Sequence, residues 1–135
     1  MTPQDLFALL PADKLDTANA ERLVALGYPA VAPVVPKLIA WQQDFNWPAA
    51  QVLRPFLVTI GAALAPEVRR VLTGEDSVWK YWLLQGIVRE SPQLAEELKS
   101  ELLRLRREPT QDDEVEGVSI VASQILETLG GTTEA

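Results

Sequence analysis

Apolar residues in this chain recur every three or four positions, which is the spacing of a helix face. The clearest stripe follows Pro48 and consists of Ala49, Val52, Leu53, Phe56, Leu57, Ile60 and Leu64. Residues 78–88 are apolar on nearly every side, a pattern typical of a helix at the centre of a fold. No segment of the sequence shows the strict alternation of a half-buried strand. The pattern predicts an all-α protein.

Capping residues, prolines and glycines divide the pattern into about six to seven helices. The predicted starts are Asp16 or Thr17, Ala30, Asn46, Pro66, Asp76 or Ser77, Ser91, and Thr110. The helix predicted to run from Ala30 to Gln43 contains Pro36, which lacks the N–H that an established helix requires. This helix therefore either starts later than Ala30 or bends at Pro36.

Two amphipathic helices are predicted in the C-terminal part of the chain. The first follows Ser91 and continues to Pro109, with Leu94, Leu98, Leu102 and Leu105 on one face. The second begins with Thr110 and Asp113, which match the capping-box pattern. Its buried stripe consists of Val118, Val121, Ala122, Ile125 and Leu129.

An irregular internal repeat links several of these helices. Pro33, Pro66 and Pro92 each precede apolar residues two and six positions later, namely Val35 and Ile39, Val68 and Leu72, and Leu94 and Leu98. Proline-opened helices alternate with longer helices at a period of about thirty residues, which is typical of helical-repeat proteins. We expect one domain over residues 1–135, with a core over about 9–130 and a loose tail at 131–135. Because the spacing is irregular, a helical bundle without repeats is the alternative.

The tryptophans carry a resemblance to a known family. All four lie in the segments 41–50 and 76–82. The runs Gly27-Tyr28-Pro29-Ala30-Val31, Asn46-Trp47-Pro48 and Trp79-Lys80-Tyr81-Trp82 resemble a bacterial family catalogued as domain of unknown function 5071. The resemblance extends over nearly the whole chain and implies a HEAT-like α–α superhelix, a short solenoid of stacked helices. It implies no activity, because none is established for the family.

The net charge and the composition reduce the range of possible ligands and locations. The net charge is −7, and residues 110–135 carry six acidic residues and no basic one. This excess argues against nucleic acid as a ligand and is compatible with a basic protein partner. The N-terminus lacks the basic and apolar regions of a signal peptide, and no run of eighteen apolar residues occurs. We therefore expect no membrane span and a cytoplasmic protein.

The chain contains neither histidine nor cysteine. This excludes histidine-based acid–base catalysis and cysteine nucleophiles, and it argues against most zinc sites. A hard cation held by Asp112, Asp113 and Glu116 is conceivable. The simpler interpretation is that acidic residues in the first turn of a helix stabilise its dipole. No cofactor and no metal are expected.

The tryptophan segments provide the candidate site. The tryptophans either wedge between helices in the core or belong to a surface formed by Asp44, Asn46, Trp47, Trp79 and Lys80. Aromatic anchors beside polar groups are typical of binding sites. An ion pair between Lys80 and Asp44 is compatible with both interpretations.

Three functions follow from these features. The leading hypothesis is a non-catalytic module that binds a protein partner, for example a bacterial immunity-type neutraliser of a basic toxin. The alternative is a small-ligand-binding protein or enzyme that uses the five candidate residues. The third is a structural accessory that dimerises through an apolar helix face. We expect a monomer or a weak homodimer.

Overall fold

The structure, a computed structural model, describes residues 2–130, and within this range it consists of helices and turns without strands. The predicted all-α class is therefore confirmed, while the predicted loose tail at 131–135 lies outside the described residues. The α-helices are α1 (Pro3–Ala8), α2 (Thr17–Leu26), α3 (Val35–Ala40), α4 (Pro48–Ile60), α5 (Ala65–Leu72), α6 (Ser77–Leu83), α7 (Pro92–Glu97), α8 (Lys99–Arg107), α9 (Gln111–Val115) and α10 (Val118–Gly130). Short 3-10 turns occupy Ala32–Val34, Trp41–Gln43 and Gly61–Leu64, and a π-helical segment, Leu84–Val88, extends α6.

Several helix starts agree with the sequence. Asp16 and Asp76 each accept a hydrogen bond from the backbone N–H three residues later, and Thr110 and Asp113 form both bonds of the capping box. Such caps satisfy N–H groups that have no partner within the helix. At α3 the later start is confirmed, because Pro36 lies in the first turn of that helix, where its missing N–H costs nothing.

Two predicted helices are each divided in the structure, so the helices are shorter and more numerous than expected. The helix predicted over 91–109 is interrupted at Leu98, whose backbone is not helical (φ −101°, ψ 12°) and whose N–H is shared between the carbonyls of Leu94 and Ala95. The last predicted helix is interrupted at Gly117, which has a φ of 84°. Glycine adopts this left-handed conformation without the steric cost that a side chain would add.

The core is assembled from the predicted apolar stripes. Helix α8 packs along α10, α2 packs along α4, and the π-helical segment lies between α4, α7 and α10. The central position expected for residues 78–88 holds for the second half of that stretch, where Leu83, Leu84, Ile87 and Val88 are fully buried. Its first half contains the half-buried Trp79 and Trp82 instead.

The stretch Pro48–Leu72 is long and apolar enough to cross a membrane by length and composition, with a mean hydropathy of 1.3. In the fold this stretch is interrupted by Gly61, whose φ is 69°. Leu53, Leu57 and Leu64 along it are fully buried in the core. A core helix meets the same composition criteria, and the structure accounts for these leucines as core residues.

Phe45 connects the two tryptophan segments. Its ring stacks on that of Trp82, with centroids 4.3 Å apart and planes inclined by 24°, and the Arg54 guanidinium carbon lies 3.6 Å from the centroid of Phe45. Gly86 provides the space for this ring, because a Cβ atom there would lie 2.0 Å from Phe45 Cζ. The segment before α4 is thus held against the π-helical segment by one aromatic side chain.

We predict that Gly86→Ala destabilises the protein by about 1–3 kcal/mol, the usual cost of overpacking a core. A loss of stability would be informative, because replacing glycine by alanine in a helix otherwise stabilises it by about 1 kcal/mol. Urea unfolding of Gly86→Ala, Phe45→Ala and the double variant would measure the coupling between the two sites. Without the Phe45 ring the nearest remaining atom is Cδ of the Arg54 side chain at 3.0 Å, so most of the penalty should disappear. Additive effects of the two substitutions would contradict the proposed contact.

Candidate functional site

The structure brings the two tryptophan segments together but divides the five candidate residues among different roles. Trp41 and Trp47 contact each other edge to face, with ring centroids 5.7 Å apart and planes inclined by 78°. Trp79 donates from its indole Nε1 to the carbonyl of Ile39 at 3.1 Å. It is half-buried and packs against the core, as a wedge between helices does.

Asp44 and Asn46 shape the turn before α4. The Asp44 Oδ1 atom accepts a hydrogen bond of 2.8 Å from the backbone N–H of Asn46. This turn moves the N-cap from the predicted Asn46 to Trp47, which makes no side-chain capping bond. The carboxylate therefore sets the direction of the chain at Trp47, and the Asn46 side chain is exposed.

Lys80 does not lie on a surface with Asp44. It is only 2% exposed, and its Nζ atom lies 3.0 Å from Asp113 Oδ1. The ion pair between Lys80 and Asp44, which was compatible with both interpretations of the tryptophan segments, does not form. A charged side chain inside the fold must find an opposite charge, because burial without one is very costly. Asp113 on α9 supplies that charge to α6.

Asp113 is the centre of a buried polar network. Its Oδ1 atom accepts hydrogen bonds from Ser77 Oγ at 2.6 Å and from Lys80 Nζ, while Oδ2 accepts one from the Thr110 N–H at 3.2 Å. Burial raises the pKa of the Asp113 carboxyl, but the hydrogen bonds from Ser77, Lys80 and Thr110 outweigh it and hold the pKa below its ordinary value. The network fixes the position and rotation of α9 against α6.

The sequence contained a signal for this pair that the local analysis did not use. Lys80 is flanked by Trp79, Tyr81 and Trp82 in a stretch that is otherwise apolar. A lysine in such a setting requires a carboxylate partner if it is buried. The capping-box pattern identified Asp113 only as a local cap.

The inward direction of Asp113 also separates it from its acidic neighbours. Asp112 and Glu116 are exposed, whereas Asp113 is 1% exposed and bonded to Lys80. Within residues 2–130 no group of three potential ligands is arranged to hold a metal ion. The conceivable cation site at Asp112, Asp113 and Glu116 therefore does not form in this fold.

A surface cleft lies where α9 and α10 meet α6. It has a volume of about 420 Å³, and its walls include Tyr81, Val115, Glu116 and Ile120. Val115 is 73% exposed and Ile120 is 60% exposed. We call this surface the α9–α10 cleft. The predicted helix faces did not indicate this cleft, although Val115 and Ile120 both lie outside the predicted buried stripe of the last helix, which is the signal that could have identified them.

The sequence matches the family described as Domain of unknown function (DUF5071) over residues 9–126. The chain belongs to this family. The tryptophan and proline runs had indicated the same assignment, which is confirmed. A comparison with curated proteins finds no match. Family membership identifies relatives of the fold, and function must be inferred from the geometry.

We predict that Lys80→Met destabilises the protein by about 3–5 kcal/mol, because it leaves the Asp113 carboxylate buried without its cation. Lys99→Met is the matched control, since Lys99 is exposed on α8 and its loss should change the free energy of unfolding by less than about 0.5 kcal/mol. Urea unfolding monitored by circular dichroism would compare the two variants. Equal stability of both would show that the buried pair does not hold α9.

The lowered pKa of Asp113 predicts a loss of stability in acid. The folded carboxylate holds its proton less tightly than the unfolded one, so the unfolded state takes up protons first as the pH falls. The free energy of unfolding should then decrease from about pH 5 to about pH 2. Asp113→Asn should flatten this dependence, and Ser77→Ala should flatten it less. Urea titrations at several pH values would measure the slopes.

Part of the acid dependence should remain in Asp113→Asn. Hydrogen bonds from the backbone N–H groups of Thr2 and Ala12 lower the pKa values of Asp5 and Asp16, which this substitution leaves in place. A slope in Asp113→Asn as steep as that of the wild type would contradict the role given to Asp113.

Proposed function

We propose that the protein is a non-catalytic binding module that holds a basic, amphipathic segment of a protein partner in the α9–α10 cleft. The observation that carries this proposal is the coincidence of exposed apolar side chains and an excess of acidic side chains at one place. Val115 and Ile120 are among the most exposed large apolar side chains of the described residues, and both line the same cleft. Clustered apolar exposure marks interaction surfaces, whereas scattered apolar residues need no explanation.

The charge around the cleft suits a basic partner. Glu116, the residue that ends α9, is part of the cleft wall. The exposed Asp112 and Glu114 lie on α9 itself. Residues 110–130 contain no lysine or arginine, and the one cation that the described residues place beside a lining residue is Arg89, which donates a hydrogen bond to Gln124. Complementary charge speeds association and selects the partner, while the apolar centre supplies affinity.

The buried network supports the same proposal. Because Asp113 is bonded to Ser77 and Lys80, α9 is held in one rotation with Asp112, Glu114 and Val115 outward. A surface held in place before binding loses less entropy on association. Lys80 thus has a positioning role beneath the cleft in this proposal, instead of the direct role first expected at the tryptophan segments.

A HEAT-like arrangement of stacked helices is part of the proposal. The positions that repeat after the three prolines are all buried, namely Val35, Ile39, Val68, Leu72, Leu94 and Leu98. Equivalent burial of equivalent positions is what stacking of repeats produces. One concrete form of the function is an immunity-type neutraliser that covers a basic surface of a toxin.

The test uses a fluorescein-labelled helical peptide with leucines on one face and lysines on the other. Its affinity, measured by fluorescence anisotropy, should exceed that of the same peptide with glutamates in place of the lysines. We expect Val115→Ser/Ile120→Ser to weaken binding by about tenfold, the effect of removing an apolar hot spot. Leu15→Ser is the matched control, because Leu15 is 67% exposed and does not line the cleft.

The contribution of acidic charge to peptide binding is tested with a second pair of variants. Glu116→Lys should slow association and reduce its salt dependence, as loss of a rim charge does. Glu21→Lys makes the same charge change on the exposed side of α2 and should have a smaller effect. Equal weakening by the cleft variants and the controls, or tighter binding of the glutamate peptide, would refute the proposed function.

A further inference from the structure

A second groove lies on another part of the molecule, where the loop after α1 meets α3 and the turn before α4. It has a volume of about 420 Å³ and is lined by Leu10, Pro11, Lys37, Trp41 and Trp47, with Ala40 and Gln43 completing its wall. We call it the tryptophan groove. Its lining is mostly apolar, and it shares no lining residue with the α9–α10 cleft.

The groove is built by contacts already seen in the fold. Trp41 packs against the core, and Trp47 stands edge to face against it. The Lys14 carbonyl accepts a 2.9 Å hydrogen bond from the Ala49 N–H, which holds the loop with Leu10 beside the start of α4. The Asp44 turn directs the chain into Trp47. Both indole rings are therefore held in position without a ligand.

The hydrogen-bonding state of the indoles indicates the kind of ligand. The Trp79 N–H is bonded to the Ile39 carbonyl, but the indole N–H groups of Trp41 and Trp47 make no hydrogen bond within residues 2–130 and are open to solvent. A ligand that packs on these rings can accept both bonds if it offers free carbonyl groups. A helical peptide does not, because its carbonyls are bonded internally. A polyproline II peptide has no internal hydrogen bonds, so its carbonyls are free.

The single charge in the lining specifies the ligand further. Lys37 is exposed at the groove and has no ion-pair partner within the described residues. No acidic side chain lines the groove. We propose that the tryptophan groove binds a proline-rich peptide segment in the polyproline II conformation that carries an acidic residue beside its prolines. Aromatic-lined grooves recognise such segments with little entropic loss, because the peptide is already extended.

The probe is a labelled peptide of six prolines with one central glutamate. Two comparison peptides carry lysine in place of the glutamate, or alanines in place of the prolines. The full-length protein labelled with ¹⁵N has four indole N–H signals, one for each tryptophan. We expect the glutamate peptide to shift the signals of Trp41 and Trp47, while the signal of Trp79 stays in place. Single Trp→Phe variants assign the signals.

The charge and the indole donors are tested separately. Lys37→Glu should weaken binding of the glutamate peptide by roughly tenfold and strengthen binding of the lysine peptide. Lys99 is an exposed lysine on α8, and Lys99→Glu should change neither affinity by more than about twofold. Trp47→Phe retains a ring and removes one donor, so it should also weaken binding. Circular dichroism verifies that each variant is folded. The proposal is independent of the α9–α10 cleft. The Val115→Ser/Ile120→Ser variant should therefore bind the glutamate peptide as tightly as the wild type does.

Each other outcome would overturn the proposal. Equal binding of the glutamate and lysine peptides would show that Lys37 selects nothing. Equal binding of the alanine peptide would remove the role of the polyproline II conformation. Shifts of the Trp41 and Trp47 signals with protein concentration alone would assign the groove to a second copy of the chain. No shift at millimolar peptide would show that the groove does not hold this class of ligand.

Discussion

The buried ion pair between Lys80 and Asp113 is the contact on which the arrangement of the C-terminal helices depends. An unpaired charge at either position would be costly inside the fold, so the two helices that carry them can pack only where the pair forms. Helix α9 is five residues long, which is too short to be stable by itself. It is kept in place by the network around Asp113 and by its capping box. The same contact decides which of its acids face the solvent.

A second constraint operates at the opposite end of α6. Phe45 fills the space above Gly86 and stacks on Trp82, so the turn that contains Asp44 is fixed relative to the π-helical segment. The two constraints share α6 and its continuation. The constraint at Lys80 and Asp113 depends on a buried pair of opposite charges. The constraint at Phe45 depends on ring contact and on the absence of a side chain at Gly86. Together they relate the tryptophan groove and the α9–α10 cleft to one central element.

The sequence predicted features that depend on neighbouring residues and failed at features that depend on distant ones. The later start of α3 at Pro36 was one of two alternatives, and the capping box at Thr110 could be predicted, because each is decided within a few residues. The partner of Lys80 could not, since Asp113 lies 33 residues away and the relation of α6 to α9 is set by tertiary packing. The structure brings the two tryptophan segments together through the stacking of Phe45 on Trp82. Lys80 pairs with Asp113 and not with Asp44, which the sequence could not predict, because the apolar neighbours of a lysine can indicate that it is buried but cannot identify which distant carboxylate it meets.

The exposed Val115 and Ile120 could be covered by the proposed basic partner or by a second copy of the chain, and the charge of the surrounding residues distinguishes these two cases. Two copies of the chain that met through the α9–α10 cleft would bring Glu116 and its acidic neighbours close to their own equivalents. Like charges placed together at an interface are unfavourable, and they become more so as water is removed. A basic partner would bury the same apolar side chains and relieve the repulsion at the same time. The acidic border therefore agrees with the proposal of a basic partner better than with a homodimer through this surface.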